Sequence, residues 1–128
     1  MWRYLELLPL PDRNAVVSLG ETMTPLIAAP KTANDLGVAE ILIKDDGRLP
    51  TGSFKARGLA VAVAMAKQRG IGRMAIPSSG NAGAALAAYC ARAGIEAYIF
   101  YPDDPPKVTV SDATVSEIGF YGANGFGV

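Results

Sequence analysis

The chain has 128 residues, half of them hydrophobic and 19% charged, with no net charge at neutral pH, a balance that suits one globular domain with a buried core. No run of Lys or Arg is long enough to track a phosphate backbone, so small metabolites rather than nucleic acid are the expected partners. Histidine is absent and Cys90 is the single cysteine, which excludes histidine triads, histidine metal sites, zinc ribbons and internal disulfides within this sequence.

Residues 1–30 hold four prolines and little periodicity. They read as an extended, turn-rich arm that docks on the rest, with one short strand around Val16 to Leu19. Residues 31–128 read as the α/β part. Glu40 to Lys44 is a short β-branched, apolar run closed by Asp45-Asp46-Gly47, the pattern of a buried strand and its turn. Phe54 to Arg69 are good helix formers with an apolar stripe, and Gly70 supplies the stop. Arg73 to Pro77 reads as a strand, Gly80 to Ala93 as a helix closed by Gly94, and Ile95 to Tyr101 as a further strand. The alternation predicts an α/β fold, a partial open parallel sheet with flanking helices and right-handed crossovers. Both small-residue turns then fall at carboxyl ends of strands, where such sheets bind ligands.

Small residues at Ala84, Ala87, Ala88 and Ala91 let the second helix lie close to the sheet, and Cys90 among them reads as a small buried hydrophobe rather than a reactive thiol. Beyond Pro102 the pattern weakens. Asp103 to Pro106 is a turn, while Val108 to Ser111 and Thr114 to Ser116 are β-branched and helix-averse. Gly119, Gly122, Gly125 and Gly127 predict a loose end without a completed strand and helix. The apolar stretches, such as Leu59 to Ala66, fall short of bilayer-spanning length. The N-terminus lacks the basic and apolar regions of a signal peptide, so no membrane is involved and the cytoplasm is the expected location.

Two segments carry the chemistry. In Pro50-Thr51-Gly52-Ser53-Phe54-Lys55-Ala56-Arg57-Gly58 the lysine sits in the first turn of a helix behind a capping serine. The positive helix end and partial burial there disfavour an ammonium ion and favour a nucleophilic amine. In Pro77-Ser78-Ser79-Gly80-Asn81-Ala82-Gly83 a second small-residue turn opens a helix, where backbone N–H groups can receive an anion. The plainer readings are a solvated lysine beside an ordinary cap, an Asx turn at Asn81 and a tight turn at Ser78 to Gly83. Arg57 and Lys44 read as ion-paired or solvated before they read as anion contacts. Gly47 to Ser53 lacks the Gly-Lys-Ser/Thr ending of a phosphate-binding loop, Gly80 to Gly83 is not Gly-x-Gly-x-x-Gly, and there is no Gly-x-Ser-x-Gly elbow.

Both segments resemble the lysine motif and asparagine loop of the fold-type II (tryptophan synthase β-like) pyridoxal-phosphate enzymes, threonine synthases most closely. The likeness extends to Trp2-Arg3-Tyr4 with Leu8-Pro9, to Leu19 through Leu26, to Ile41 through Asp45 and to Tyr89 through Ile95. It corresponds to the N-terminal part of such enzymes, so residues 31–128 are expected to be an incomplete cofactor domain. The resemblance implies pyridoxal 5'-phosphate as cofactor, Lys55 as its covalent partner and proton shuttle, and Asn81 as the hydrogen-bond partner of its ring hydroxyl. It further implies the loop of Ser78, Ser79, Gly80 and Ala82 as the seat of an amino-acid carboxylate. The implied reaction converts O-phosphohomoserine to threonine and phosphate, in a protein that could be a homo-oligomer. A serine/threonine dehydratase or cysteine synthase-like enzyme is the alternative, and a non-catalytic fragment or binding module is the alternative of another class. Two features depart from the pattern: Ala82 stands where several threonine synthases carry Thr, and no glycine-rich phosphate loop is present.

Overall fold

The computed structural model describes residues 1–10, 12–102 and 112–127. It holds a three-stranded parallel sheet, a separate two-stranded antiparallel ribbon, and α and 3-10 helices.

The arm docks as expected, but through helical turns. Two 3-10 segments, Trp2–Leu7 and Arg13–Ala15, put Leu5, Leu10, Ala15 and Val17 into the core. The short strand predicted at Val16 to Leu19 is not formed. Strand β1 is instead Leu26–Ala28, pairing antiparallel with β2, Leu42–Lys44. Between them lies α1, Pro30–Leu36, which starts on a proline and stops at Gly37 with φ +66°. That placement of Pro and Gly was a legible signal for a helix that the sequence reading left out.

The second correction concerns β2. It was expected to be buried and to open the parallel sheet, yet it lies in the ribbon with all three residues exposed. Its β-branched, apolar composition set its strand conformation, while its partner was decided by chain 14 residues upstream, as in the register Ala28 with Leu42.

The parallel sheet has the order β3–β4–β5, from β3 (Arg73–Pro77), β4 (Glu96–Tyr101) and β5 (Asn124–Gly127). Helix α2, Lys55–Gln68, packs along α3, Asn81–Ala93, and α3 lies on β3 and β4. The alanines of α3 act as expected: from Gly83 to Cys90 every residue is buried, so the helix approaches the sheet closely. A Cβ on Gly83 would stand 3.0 Å from Cγ2 of the fully buried Ile99. Gly94, with φ +69°, ends α3 in the left-handed conformation that glycine adopts without steric penalty.

The end of the chain overturns the expectation of a loose tail. Helix α4, Asp112–Phe120, packs on α3 and β5, and β5 pairs parallel with β4. Burial of Ile118 offsets the poor helix propensity of Thr114 to Ser116. Gly125 gives Tyr101 room, since a Cβ there would meet its ring at 3.2 Å. The segment Val108 to Ser111 and the turn Asp103 to Pro106 lie outside the described residues.

Candidate active site

Lys55 is the first residue of α2 and is half-buried. Ser53 has an extended backbone and accepts the Lys55 amide on its Oγ at 3.3 Å, while its carbonyl accepts the Ala56 amide at 3.3 Å. The serine therefore caps the helix, as expected, although Phe54 between them already has helical dihedrals. Lys55 Nζ has no carboxylate within ion-pair distance among the described residues. It rests over the Phe54 ring, 4.4 Å from the centroid.

The turn that delivers this lysine is strained. Thr51 has φ +68°, a conformation unfavourable for a β-branched residue, and its buried Oγ1 finds no hydrogen-bond partner. The turn, Pro50–Gly52, packs against α3. Sequence reasoning missed Thr51, because a Pro-Thr-Gly run indicates a turn without saying which residue takes the positive φ.

Asn81 is exposed at the first position of α3, and its side chain makes no hydrogen bond among the described residues. The plainer reading of Asn81 as an Asx cap is thus not what holds the helix start. Ser78 does that from outside: its Oγ accepts the Gly83 amide at 2.9 Å and the Gly80 amide at 3.3 Å, and donates to the Gly80 carbonyl at 3.2 Å. The Ser78 amide is tied to the Phe100 carbonyl at 2.8 Å, anchoring the loop to the tip of β4. The amides of Ser79, Asn81 and Ala82 keep no partner among the described residues. They sit at the positive end of a 13-residue helix, an arrangement suited to an anion. No hydrogen bond joins Lys55 to Asn81, Ser78 or Ser79; what links the two turns is the packing of α3 on α2 and on Pro50–Gly52.

Arg57 and Lys44 are engaged elsewhere, as the ion-pair reading anticipated. Arg57 grips Asp46 with Nε at 2.8 Å and Nη2 at 2.7 Å, and Nη2 also reaches the Thr24 hydroxyl at 3.2 Å. The Thr24 hydroxyl donates to Asp46 at 2.7 Å, and Lys44 Nζ donates to the Thr24 carbonyl. The hydrogen bonds from Arg57 and Thr24 hold the Asp46 carboxyl well below the usual carboxylate range, and Asp46 in turn raises Arg57. A cavity of about 640 Å³ lies between this pair and the arm residues Trp2, Arg3 and Tyr4; Lys55 and Asn81 do not line it.

A second polar cluster fixes the arm to α3. Glu21 accepts Trp2 Nε1 at 2.9 Å, the Leu19 amide at 3.0 Å, Tyr89 Oη at 2.6 Å and the Ser18 hydroxyl. Burial opposes its ionisation, but the bonds from Leu19, Ser18 and Tyr89 outweigh it and leave the carboxyl below its ordinary range. Tyr89 is raised, by burial first and by Glu21 second. Burial also pushes the Cys90 thiol up to about 11, which fits the small-hydrophobe reading over a reactive thiolate.

The fold defines the class: a parallel α/β sheet in which a strand tip feeds a helix start with free amides, beside a second helix headed by a lysine. Residues 17–125 match the family described as pyridoxal-phosphate dependent enzyme, and the chain belongs to that family. Pyridoxal 5'-phosphate is accordingly its cofactor. The chain is 41% identical over 123 residues to a threonine synthase of Methanocaldococcus jannaschii, a match that covers 96% of this chain and 29% of the relative. Among solved structures it resembles a pyridoxal 5'-phosphate-dependent aspartate racemase, with TM-score 0.75 and 28% identity over 90% of this chain and 36% of that one. It also resembles diaminopropionate ammonia lyase from Escherichia coli in complex with an aminoacrylate-PLP azomethine intermediate, with TM-score 0.73 and 25% identity over 94% of this chain and 36% of that one. The chain thus spans less than a third of the length of the threonine synthase it matches. Among the described residues no helix is long and apolar enough to cross a membrane.

Proposed function

We propose that this chain carries the lysine and carboxylate-loop portion of a threonine synthase-like, pyridoxal-phosphate-dependent lyase site. The whole site would convert O-phosphohomoserine to threonine and phosphate in the cytoplasm. The observation that carries this reading is Lys55 at the capped start of α2, without a carboxylate partner among the described residues, just after a strained turn that packs against the helix bearing the free-amide loop. The likeness to threonine synthase supports the substrate class.

These residues fit the cofactor. When bound, pyridoxal phosphate supplies an electron sink for the substrate's α-carbon. Lys55 Nζ would be the amine that holds the cofactor, and it would take or return the proton at the substrate's α-carbon. The Asn81 side chain, without a hydrogen bond among the described residues, is available to the ring hydroxyl. The amides of Ser79, Asn81 and Ala82 receive an amino-acid carboxylate, while Ser78 and Gly80 hold the loop in the shape that presents them. A dehydratase or β-replacement enzyme is the second reading, kept because Ala82 beside the loop asparagine departs from the Thr that several threonine synthases carry. A binding role without turnover is the reading of another class.

The test is borohydride reduction of the 128-residue chain with pyridoxal phosphate, followed by peptide mapping. Label is expected on Lys55, and Asn81→Ala should weaken cofactor retention or shift its absorption. O-Phosphohomoserine should perturb that absorption more than serine does. Label on another lysine, or an Asn81→Ala spectrum and affinity identical to the parent, removes the corresponding residue from the site.

A further inference from the structure

The segment that delivers Lys55 is closed on itself by charge. Asp46, in the 3-10 turn Asp46–Arg48, and Arg57, in the first turn of α2, are 11 residues apart. They meet through two hydrogen bonds, from Nε at 2.8 Å and from Nη2 at 2.7 Å. Between them run the turn Pro50–Gly52 with its strained Thr51, the capping Ser53 and Lys55 itself. The bonds inside this loop are local: the Gly52 amide donates to the Leu49 carbonyl at 2.9 Å, and the Lys55 and Ala56 amides both donate to Ser53. The closure is fastened to the ribbon at the same point. Thr24, just before β1, bonds both Asp46 and Arg57 through its hydroxyl, and Lys44, at the end of β2, donates to the Thr24 carbonyl. Buried Leu49 and Ala56 also anchor the segment, but apolar burial is non-directional and fixes depth rather than angle. A two-point bond between a guanidinium and a carboxylate fixes direction. A β-branched residue keeps a positive φ only where its surroundings over-determine it.

We propose that Asp46 and Arg57 are positioning residues, whose grip closes the loop 46–57 and holds the strained turn so that the Lys55 amine stands in one place for the cofactor. The bearing on the cofactor rests on the lyase reading above; the fastening of the segment does not. A second ion pair in the same loop, Asp45 with Arg48 at 2.9 Å, spans three residues and does not include α2. It therefore serves as the internal control.

The test labels the 128-residue chain with pyridoxal phosphate and borohydride. Peptide mapping gives the ratio of label on Lys55 to label on Lys67, an exposed lysine near the far end of α2. Hydrogen exchange over 49–57 is followed without cofactor. Two variants break the grip: Asp46→Asn removes the charge, and Arg57→Lys keeps the charge without the two-point geometry. In each, the label ratio should fall about five-fold or more, and exchange at Gly52, Lys55 and Ala56 should quicken about ten-fold. The double variant should be no worse than the worse single one, because both break one interaction. Arg48→Gln should match the parent in both measurements. Circular dichroism shows which variants are folded, and the milder Arg57→Lys decides alone where Asp46→Asn is not. A grip that serves stability only would lower the urea midpoint and leave the label ratio of the folded chain where it was, which overturns the proposal. Additive losses in the double variant, or an equal loss in Arg48→Gln, overturn it as well. A parent chain that shows no preference for Lys55 over Lys67 counts against the lyase reading, and the exchange rates then judge the grip by themselves.

Discussion

Thr51 shows how much chemistry can rest on one residue's backbone. Its positive φ costs about 1–2 kcal/mol for an L-residue, and its buried, unpaired hydroxyl adds a desolvation penalty of about 1–3 kcal/mol. Glycine tolerates that φ but loses about 0.5–1 kcal/mol more entropy on folding. Thr51→Gly is therefore expected to stabilise the chain by about 1 kcal/mol, read as a higher urea midpoint at unchanged slope. A lower midpoint would mean the hydroxyl or methyl makes a contact that matters more than the strain. If stability rises while Lys55 labelling by pyridoxal phosphate slows, the strain is serving the placement of the lysine. At this scale the sequence was informative about which residues matter, since Lys55, Ser53, Asn81 and Ser78 all sit at helix starts. It was silent on which atoms are free. That Ser78 is consumed by the Gly80 and Gly83 amides, and that Arg57 is consumed by Asp46, follow from distances that no local pattern encodes.

Among the elements, α3 illustrates close packing as a determinant of site shape. Gly83 is the point of closest approach to β4, with Ile99 Cγ2 at 3.0 Å and Ser78 Oγ at 3.5 Å from the position of an added Cβ. An alanine there sets a helix-propensity gain of about 1 kcal/mol against overpacking of similar size. Valine removes that ambiguity, being larger and β-branched. Gly83→Val should destabilise by about 2 kcal/mol or more, because overpacking and lower helix propensity act together. It should also weaken cofactor retention, because the Gly83 amide anchors the loop through Ser78. Wild-type stability in chemical denaturation would show that α3 can slide off Ile99. The elements from α2 through β4 were legible because each is a local pattern, and Gly70 and Gly94 stop the two helices. The pairing of β1 with β2 across α1 was not, nor was α4, which forms from helix-averse residues because Ile118 has a core to enter.

For the whole molecule, the polar clusters at Glu21 and Asp46 tie the arm to the α/β body and make its stability depend on acid. Both carboxyls are lowered in the folded state, Asp46 from an ordinary 3.8 and Glu21 from 4.5. The stability each supplies is complete above those ordinary values and is lost as pH falls below them, because the unfolded chain then binds more protons. The urea midpoint should be level from pH 7 to about 5 and fall between about 4.5 and 3, less steeply in Glu21→Gln/Asp46→Asn. A midpoint that stays level to pH 3, or a variant with the parent's slope, would show that neither cluster holds the arm.

What the sequence by itself determined is local: the central strands and helices, the capped lysine, the small-residue loop, the buried thiol, and through them the cofactor family. Each depends on neighbours within a few residues, where propensity, capping and periodicity act. Only the tertiary structure decided that β2 leaves the parallel sheet for a ribbon, that the tail completes a third strand, and that Arg57 answers Asp46. It alone also decided that Phe100 and Phe126 stack on each other and stay exposed. Those outcomes depend on contacts between residues far apart in the chain, where burial and charge pairing are settled by what the rest of the fold brings alongside.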